Sequence, residues 1–161
     1  MSSNITKNNE EYEVRLAKVA KLKEKGVNPW PLDLPLISHT SKKIKELRPK
    51  IEDQSFTDKV TIVGRVMTKR FHGKAAFLDL QDNDGRVQVY LNQAQIGKDN
   101  FELWQENLDV GDIVSVTGTI FITKVGEITV RADEFKLLSK SLYPLPEKFH
   151  GLTDIETRYR L

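Results

Sequence analysis

Five short segments between Lys59 and Leu138 alternate apolar and polar residues, and this alternation restricts the possible fold more than any other feature. A period of two is the pattern of a strand with one buried face. Gly64 lies inside the first segment and predicts a bend or bulge there. The tripeptide Asn83-Asp84-Gly85 predicts a tight hairpin turn. The five predicted strands cover residues 60–70, 75–81, 86–91, 113–122 and 127–138.

A short helical pattern separates the third and fourth strands. Phe101, Trp104 and Leu108 have helical spacing, and Asp99 or Asn100 is the expected N-cap. The order strand, strand, strand, helix, strand, strand is that of an OB-fold, a five-stranded Greek-key barrel that binds oligonucleotides or oligosaccharides. A sandwich or an SH3-like barrel is also compatible with five short strands. The helix and the bent first strand favour the OB-fold.

The amino-terminal third has a different pattern. Residues 8–25 are predicted to form an amphipathic helix with Asn8 or Asn9 as its N-cap, ending at Gly26. Its apolar face is expected to contain Tyr12, Leu16, Val19, Ala20 and Leu22. Residues 27–58 contain four of the six prolines and are read as a connector with one short helix, 41–47, capped by Thr40 or Ser41.

The chain is therefore predicted to be mainly β with a helical amino-terminal extension. We divide it into an extension and connector (1–58), an OB-fold domain (59–138) and a linker (139–161). Thr153 and Glu156 form a capping box, which predicts the start of a helix close to the last residue. Such a short helix is not stable alone, so we expect the chain to be a fragment that continues into a further domain.

Composition excludes several function classes. With 25 basic and 23 acidic residues, net charge does not by itself indicate a nucleic-acid binder, and the absence of cysteine rules out disulfides and thiolate chemistry. His39, His72 and His150 lack metal-ligand spacing, and no phosphate-binding glycine motif occurs. Asp82 and Asp84 are explained by turn chemistry. Without a signal peptide or an apolar run of membrane length, the chain is expected to be soluble, cytoplasmic and non-catalytic.

The strand phase also identifies side chains that face away from the core. Phe77 on strand two shares the outer face with Gln88 and Tyr90 on strand three, and Glu127, Thr129 and Arg131 face outward on strand five. An outward phenylalanine is either covered by a loop or helix, or it is a platform on which a base stacks while the neighbouring amide bonds its edge.

Basic residues cluster beside this face. Five basic residues and no acid lie between Lys59 and Leu78, and a second basic stripe follows the amino-terminal helix. The stripe is either a solvated face or a phosphate-contacting surface. The candidate phosphate contacts are Arg15, Lys18, Lys21, Lys25, Arg65, Lys69 and Lys74.

Several motifs occur in an order that resembles one family. They are Asn28-Pro29-Trp30-Pro31, Gly73-Lys74-Ala75-Ala76-Phe77, Leu80-Gln81-Asp82, Gly111-Asp112-Ile113, Thr123-Lys124-Val125-Gly126-Glu127, and above all Leu142-Tyr143-Pro144-Leu145-Pro146-Glu147-Lys148-Phe149-His150-Gly151-Leu152. From about residue 12 to residue 161 the chain resembles the amino-terminal, anticodon-binding part of class II lysyl-tRNA synthetases of bacterial type.

The resemblance implies a role for particular residues. Phe77 matches the phenylalanine that stacks on the central anticodon uridine, Gln88 the glutamine that bonds that base, and Arg70 the arginine beside them. Glu127 matches the acid that contacts another uridine. Aspartyl and asparaginyl synthetases share the Phe and the Gln, and the segment around His150 favours lysine.

The resemblance also implies partners and cofactors. The chain is expected to bind the anticodon stem-loop of tRNA-Lys, and the parent enzyme is expected to be a homodimer that uses ATP and Mg²⁺ to attach lysine to the tRNA. The ATP- and lysine-binding motifs of that family lie beyond Leu161, so the chain alone is expected to hold no cofactor and to be inactive. Two other functions remain open on the residues alone: a free-standing OB-fold that binds single strands, and an OB-fold that binds another protein.

Overall fold

A computed structural model describes residues 2–31 and 35–143, with side chains from Asn9 onward. Five helices and five strands are present in this part of the chain. In chain order they are α1 (Ser2–Glu24), α2 (Ser41–Glu46), α3 (Arg48–Glu52), β1 (Val60–His72), β2 (Ala75–Asp82), β3 (Gly85–Asn92), α4 (Gln93–Ile96), α5 (Lys98–Asn107), β4 (Ile113–Ile122) and β5 (Ile128–Ser139).

The strands close into a barrel in the order β1-β2-β3-β5-β4. β3 and β5 are parallel, and the other pairs are antiparallel. The first part of β1, up to Arg65, pairs with β4, and the part from Arg65 onward pairs with β2, so this long strand joins both sides of the barrel. With α5 between β3 and β4, the predicted OB-fold is confirmed.

The irregularity predicted in β1 is present but displaced. The register shifts between Val66 and Thr68, rather than at Gly64. Gly64 is needed for a different reason: a Cβ there would lie 3.0 Å from both the Gln81 carbonyl oxygen and the Leu80 Cβ. The bulge reverses the side-chain phase of β1 and thereby determines which face Arg70 occupies.

Alternate residues of the five strands fill the barrel, as their period predicts. The ends of the core are closed by Phe101 and Leu108 from the α5 region, Leu22 of α1 and Ile44 of α2, all at most 1% exposed. Other members of this core include Ile62, Val66, Leu78, Leu80, Val89, Leu91, Val114, Val116, Ile128 and Val130.

Several predicted helix boundaries are wrong. α1 begins at Ser2, so neither Asn8 nor Asn9 is its N-cap; no residue in that stretch breaks a helix. The cap of α5 is Gly97 rather than Asp99 or Asn100, and the four-residue α4 was not predicted. Thr40 is confirmed as the cap of α2, but the predicted helix 41–47 ends at Glu46 and a second helix, α3, follows. The capping box at Thr153 lies outside the described residues.

The buried face of α1 differs from the predicted apolar face. Leu16 is 39% exposed and Ala20 is also exposed, whereas Arg15 is buried together with Val19 and Leu22. Arg15 tolerates burial because its guanidinium donates to the carbonyl oxygens of Val110, Ser141 and Tyr143 at 3.0–3.2 Å and to Glu11 at 2.8 Å. Apolar spacing missed this residue because its partners are distant in sequence.

A buried charge cluster formed by Lys18, Asp109, Asp112 and Lys140 joins α1, the turn before β4 and the segment after β5. The Lys140 amine is fully buried, 2.5 Å from Asp109 Oδ2 and 2.7 Å from Asp112 Oδ2. Lys18 lies 2.5 Å from Asp109 Oδ1. Burial raises the pKa of Asp112; burial also acts on Asp109, but the bonds from Lys140 and Lys18 hold its pKa below the usual value. The cluster attaches α1 to the barrel.

Within the described residues, no helix is long and apolar enough to cross a membrane.

Candidate nucleic-acid interface

Three aromatic side chains lie side by side on the outer surface of the barrel. Phe77 on β2 is paired with Tyr90 on β3, and their ring centroids are 5.1 Å apart with planes inclined by 46°. The Phe121 ring, at the end of β4, meets Tyr90 edge-on at 5.9 Å. Each side chain is partly exposed. The outward orientation predicted for Phe77 and Tyr90 is confirmed, because the intervening Leu78 and Val89 fill the core.

Arg70 lies directly opposite Phe77 in the β1–β2 register. Its guanidinium carbon is 6.0 Å from the centroid of the Phe77 ring, at the outer limit of a cation–π contact. Strand phase alone did not place Arg70 in the predicted outward set, because the irregularity expected in β1 leaves the phase beyond it open. The bulge between Val66 and Thr68 reverses the phase of the buried Val60, Ile62 and Val66, and Arg70 therefore faces outward.

Gln88 lies in the middle of the same face, between Asp79 on β2 and Thr129 on β5. Asp79 accepts a hydrogen bond from the Thr68 hydroxyl at 2.7 Å. Across the described residues, the Gln88 amide has no hydrogen-bond partner and the side chain is only partly buried. Its donor and acceptor groups are therefore available to a ligand.

The turn between β4 and β5 forms one wall of an open groove beside the rings. Val125 is 91% exposed at its tip. The adjacent Glu127 is exposed, and its backbone N–H donates to the Thr123 hydroxyl at 3.1 Å. The groove has a volume of about 560 Å³ and is lined by Phe77, Tyr90, Phe121, Thr123, Lys124, Val125 and Arg131.

Lys124 and Val125 were not identified as site residues from the sequence, where they appear only within the motif Thr123-Lys124-Val125-Gly126-Glu127. Their proximity to Phe77 follows from barrel closure, since the parallel pairing of β3 with β5 places Arg131 beside Tyr90. Gly118 permits this arrangement: a Cβ at that position would lie 1.8 Å from the Arg131 carbonyl oxygen. A sequence signal that could have found them is the glycine at Gly126 after two polar or exposed positions, which is typical of a turn between strands.

Thr129 is the exception to the predicted outward set. It is 0% exposed, although it lies on the same side of β5 as Arg131. It is paired with Gln88 on one side and Phe121 on the other, and its hydroxyl donates to the Glu127 carbonyl at 3.1 Å. Larger neighbours therefore cover Thr129, which supports the groove from beneath and does not line it.

The seven candidate phosphate contacts fall into two groups. Arg15 and Arg65 are buried, Lys18 is paired with Asp109, and the Lys69 amine donates to the Leu108 carbonyl at 2.6 Å; burial lowers the pKa of Lys69. Lys21, Lys25 and Lys74 are exposed. The first group is engaged by the protein itself, and the second faces solvent.

No group of three or more metal-ligating side chains comes together among the described residues.

Comparison with known proteins gives two results. Residues 60–138 match the tRNA anti-codon family of OB-fold nucleic acid binding domains. Lysine--tRNA ligases from Carboxydothermus hydrogenoformans and Oceanobacillus iheyensis are 46% and 47% identical to the chain over 152 and 154 residues. The enzyme of that name from Staphylococcus epidermidis is 44% identical over 157 residues.

Each alignment covers 94% of this chain but only 30–31% of the relative, so the chain spans less than a third of the length of these proteins. The family match begins at the first residue of β1 and ends one residue before the end of β5. It therefore includes the whole barrel and the groove on its surface. The part of the chain that is similar to the tRNA anti-codon family of OB-fold nucleic acid binding domains is therefore the barrel, residues 60–138.

Proposed function

We propose that this chain is the anticodon-binding part of a lysine–tRNA ligase and that its groove reads the U-rich anticodon of tRNA-Lys. The observation that carries the proposal is the convergence of three groups on one open face. The Phe77 ring, the Arg70 guanidinium and the unpaired Gln88 amide come from three adjacent strands.

Each group has a distinct part in the proposed reading. A base stacks on the exposed face of the Phe77 ring, and the contact between this ring and Tyr90 keeps the ring in place. The Gln88 amide has one acceptor and two donor hydrogens, so it can match the N3–H donor and the O4 acceptor of uracil together. Arg70 lies beside the stacked base, and the Glu127 carboxylate accepts the N3–H of a second uridine.

Phosphate contacts in this proposal are limited to cations that face solvent. Lys74 lies in the β1–β2 turn, and Lys21 and Lys25 lie on α1 or just after it. We leave Arg15, Lys18, Arg65 and Lys69 out, because a buried or internally bonded cation cannot approach a phosphate without losing its present partners.

The activity of the whole protein is part of the proposal. We infer a cytoplasmic, homodimeric class II enzyme that uses ATP and Mg²⁺ to attach lysine to tRNA-Lys, with the present chain as a non-catalytic part. The division of the chain into residues 1–58, 59–138 and 139–161 is also part of this proposal. The chain alone is expected to show no lysine-dependent exchange of pyrophosphate into ATP; measurable exchange would contradict this assignment.

The test of the groove is a double-mutant cycle measured with anticodon stem-loops that carry U or C at the central position. Phe77→Ala should weaken binding by about 1–3 kcal/mol, the usual cost of losing a base–aromatic stack. The loss should be similar for both stem-loops, because stacking is tolerant of base identity. Tyr90→Phe, which retains its ring, serves as the control.

Gln88→Ala should act mainly on selectivity. The preference for U over C should fall by about 0.5–1.5 kcal/mol, the net value of a hydrogen bond, while general affinity changes less. Gln81→Ala is the matched control, since Gln81 is also partly buried and faces outward on the neighbouring strand. The two site substitutions should be non-additive, because an unstacked base no longer presents its edge to the amide. Additive effects, or equal selectivity in both glutamine variants, would refute the assignment.

Comparable affinity for poly-pyrimidine strands would instead indicate a free-standing single-strand binder, which the relatives do not favour.

A further inference from the structure

Four lysines of α2 and α3 form an exposed basic ridge: Lys42, Lys43, Lys45 and Lys50. Residues 41–52 contain five basic and two acidic residues, a net charge of +3, against +2 for all 161 residues. Within the described part of the chain, none of the four amines forms a hydrogen bond or ion pair. Glu46 shares the outer face of α2 but is not within ion-pair distance of them.

The ridge differs from the other basic groups that the sequence brings to notice. Lys18 and Lys140 are neutralised by Asp109 and Asp112, and Lys69 is bonded to a backbone carbonyl. Among the described residues, the ridge lysines form no such bonds, and they repel one another. A local excess of positive charge attracts a polyanion, and counterion release makes phosphate binding favourable there.

The ridge is attached to the barrel at a defined position. Helices of six and five residues are not stable alone, so their geometry depends on tertiary contacts. Ile44 is fully buried against the core. Asp82, the last residue of β2, accepts from the Ser41 hydroxyl at 2.6 Å and from the Ser41 backbone N–H at 2.7 Å. The lysines are consequently presented on a fixed support.

The ridge meets the aromatic groove at the β4–β5 turn. The Arg48 guanidinium donates to the Gly126 carbonyl oxygen at 2.7 Å. The two residues before Gly126, which are Lys124 and Val125, line the groove next to Phe77 and Tyr90. A strand whose bases occupy the groove can therefore pass this turn and continue onto α2 and α3.

We propose that the basic ridge binds the phosphate backbone of the RNA that flanks the bases held in the groove. The inference rests on the proposed function, because it takes the ligand of the groove to be RNA. The ridge supplies affinity without reading sequence, as phosphate contacts do. Arg48 is a positioning residue, since it holds the turn that connects the ridge with the groove.

The test compares two triple variants of the full 161-residue chain with the same change in charge. The ridge variant is Lys42→Gln, Lys43→Gln, Lys45→Gln; the control is Lys23→Gln, Lys98→Gln, Lys136→Gln, which removes exposed lysines elsewhere. Glutamine has nearly the helix propensity of lysine, and thermal melts should show that both variants fold. The probes are an anticodon stem-loop with UUU in its loop and the trinucleotide UUU alone.

The ridge variant should bind the stem-loop roughly tenfold more weakly at low salt, and its log–log salt slope should be shallower by about 2, since each phosphate contact contributes about 0.7–0.9. Its affinity for UUU should stay within about twofold of wild type, because the trinucleotide has no flanking backbone. The control variant should change the slope by less than half as much. The preference for U over C should not change in either variant.

Equal behaviour of the ridge and control variants on the stem-loop would overturn the proposal. So would a ridge variant that loses as much affinity for UUU as for the stem-loop, because the lysines would then act at the groove itself. Failure of the proposed function has a different signature: Phe77→Ala would retain both affinity and selectivity, whatever the ridge variant does.

Discussion

The buried charge cluster and the surface formed by the groove and the ridge use the same residue types in opposite ways. In the cluster, the amine of Lys140 is fully enclosed and bonded to Asp109, Asp112 and the Asn107 carbonyl. On the ridge, Lys42 and its neighbours form no ion pair among the described residues. A lysine's availability to a ligand therefore depends on what the fold places around its amine.

The physical reason is the cost of removing a charge from water. A buried ammonium is tolerated only when anions and carbonyls replace its hydration, so the cluster has to be complete. A surface ammonium needs no such compensation and remains free to release counterions when a phosphate arrives. Disrupting the cluster should therefore act on stability, and disrupting the surface should act on binding.

The largest expected effect is that of Lys140→Met. The substitution leaves the two buried carboxylates without their shared cation, and breaking a buried pair in this way typically costs about 3–5 kcal/mol. Chemical denaturation should show this loss in the free energy of unfolding. Whatever protein remains folded should retain the wild-type preference for U over C in the stem-loop. A stable variant with altered selectivity would place the cluster within the binding surface.

A smaller effect is expected from Lys18→Gln, about 1–2 kcal/mol, because the Lys18 side chain is 23% exposed and its pair with Asp109 lies between the buried and the surface cases. Lys21→Gln is the control on the same helix, and it should hardly change stability. The salt slope for stem-loop binding should be unchanged in the Lys18 variant. A shallower slope would mean that Lys18 leaves Asp109 to contact RNA.

The same pair predicts a pH dependence. In the folded chain the pKa of Asp109 lies below its usual value of 3.8. The ionised Asp109 therefore contributes its full stabilisation above pH 3.8, and this stabilisation is lost as the pH falls through the pKa of the folded state. Removing Lys18 raises that folded pKa. The stability difference between wild type and Lys18→Gln should therefore be largest above pH 3.8 and should shrink in acid. Urea titrations between pH 2.5 and 7 measure it; a difference that grows in acid would contradict the assignment.

The smallest stability effect is expected at the groove. Phe77→Ala should lower the free energy of unfolding by about 1 kcal/mol, mostly the loss of its ring contact with Tyr90. Phe101→Ala is the internal comparison: its ring is 1% exposed, and the loss should be about 3–5 kcal/mol. Thermal melts of the two variants compare them directly. Similar losses would show that Phe77 is part of the core.

Much of the site was accessible from period-two reasoning. The phases of β2 and β3 follow from which residues can fill a barrel, and they put Phe77, Gln88 and Tyr90 on one outer face. The same reasoning was wrong for Thr129, because alternation gives the direction of a side chain and not the size of its neighbours. It left Arg70 undetermined, because a bulge reverses the phase and its position depends on how two strands fit together.

The amino-terminal helix shows the same difference between what the sequence predicts and what it does not. Its existence and its end near Gly26 follow from local propensity and spacing, but its buried face does not. Arg15 is buried because Val110, Ser141 and Tyr143 place three carbonyl oxygens around it. A helical wheel of α1 cannot show these acceptors, because they belong to segments far away in the sequence.

The number and order of the strands, the barrel class and the outward aromatic pair follow from the sequence, because these depend on short-range alternation and turn chemistry. The tertiary contacts determine which cations are bonded inside the protein and which remain on its surface. They also bring the β4–β5 turn and the α2–α3 ridge to the edge of the groove. Both outcomes depend on pairings between residues far apart in the chain, and the free energy of a charge is set by its whole surroundings rather than by its neighbours in sequence.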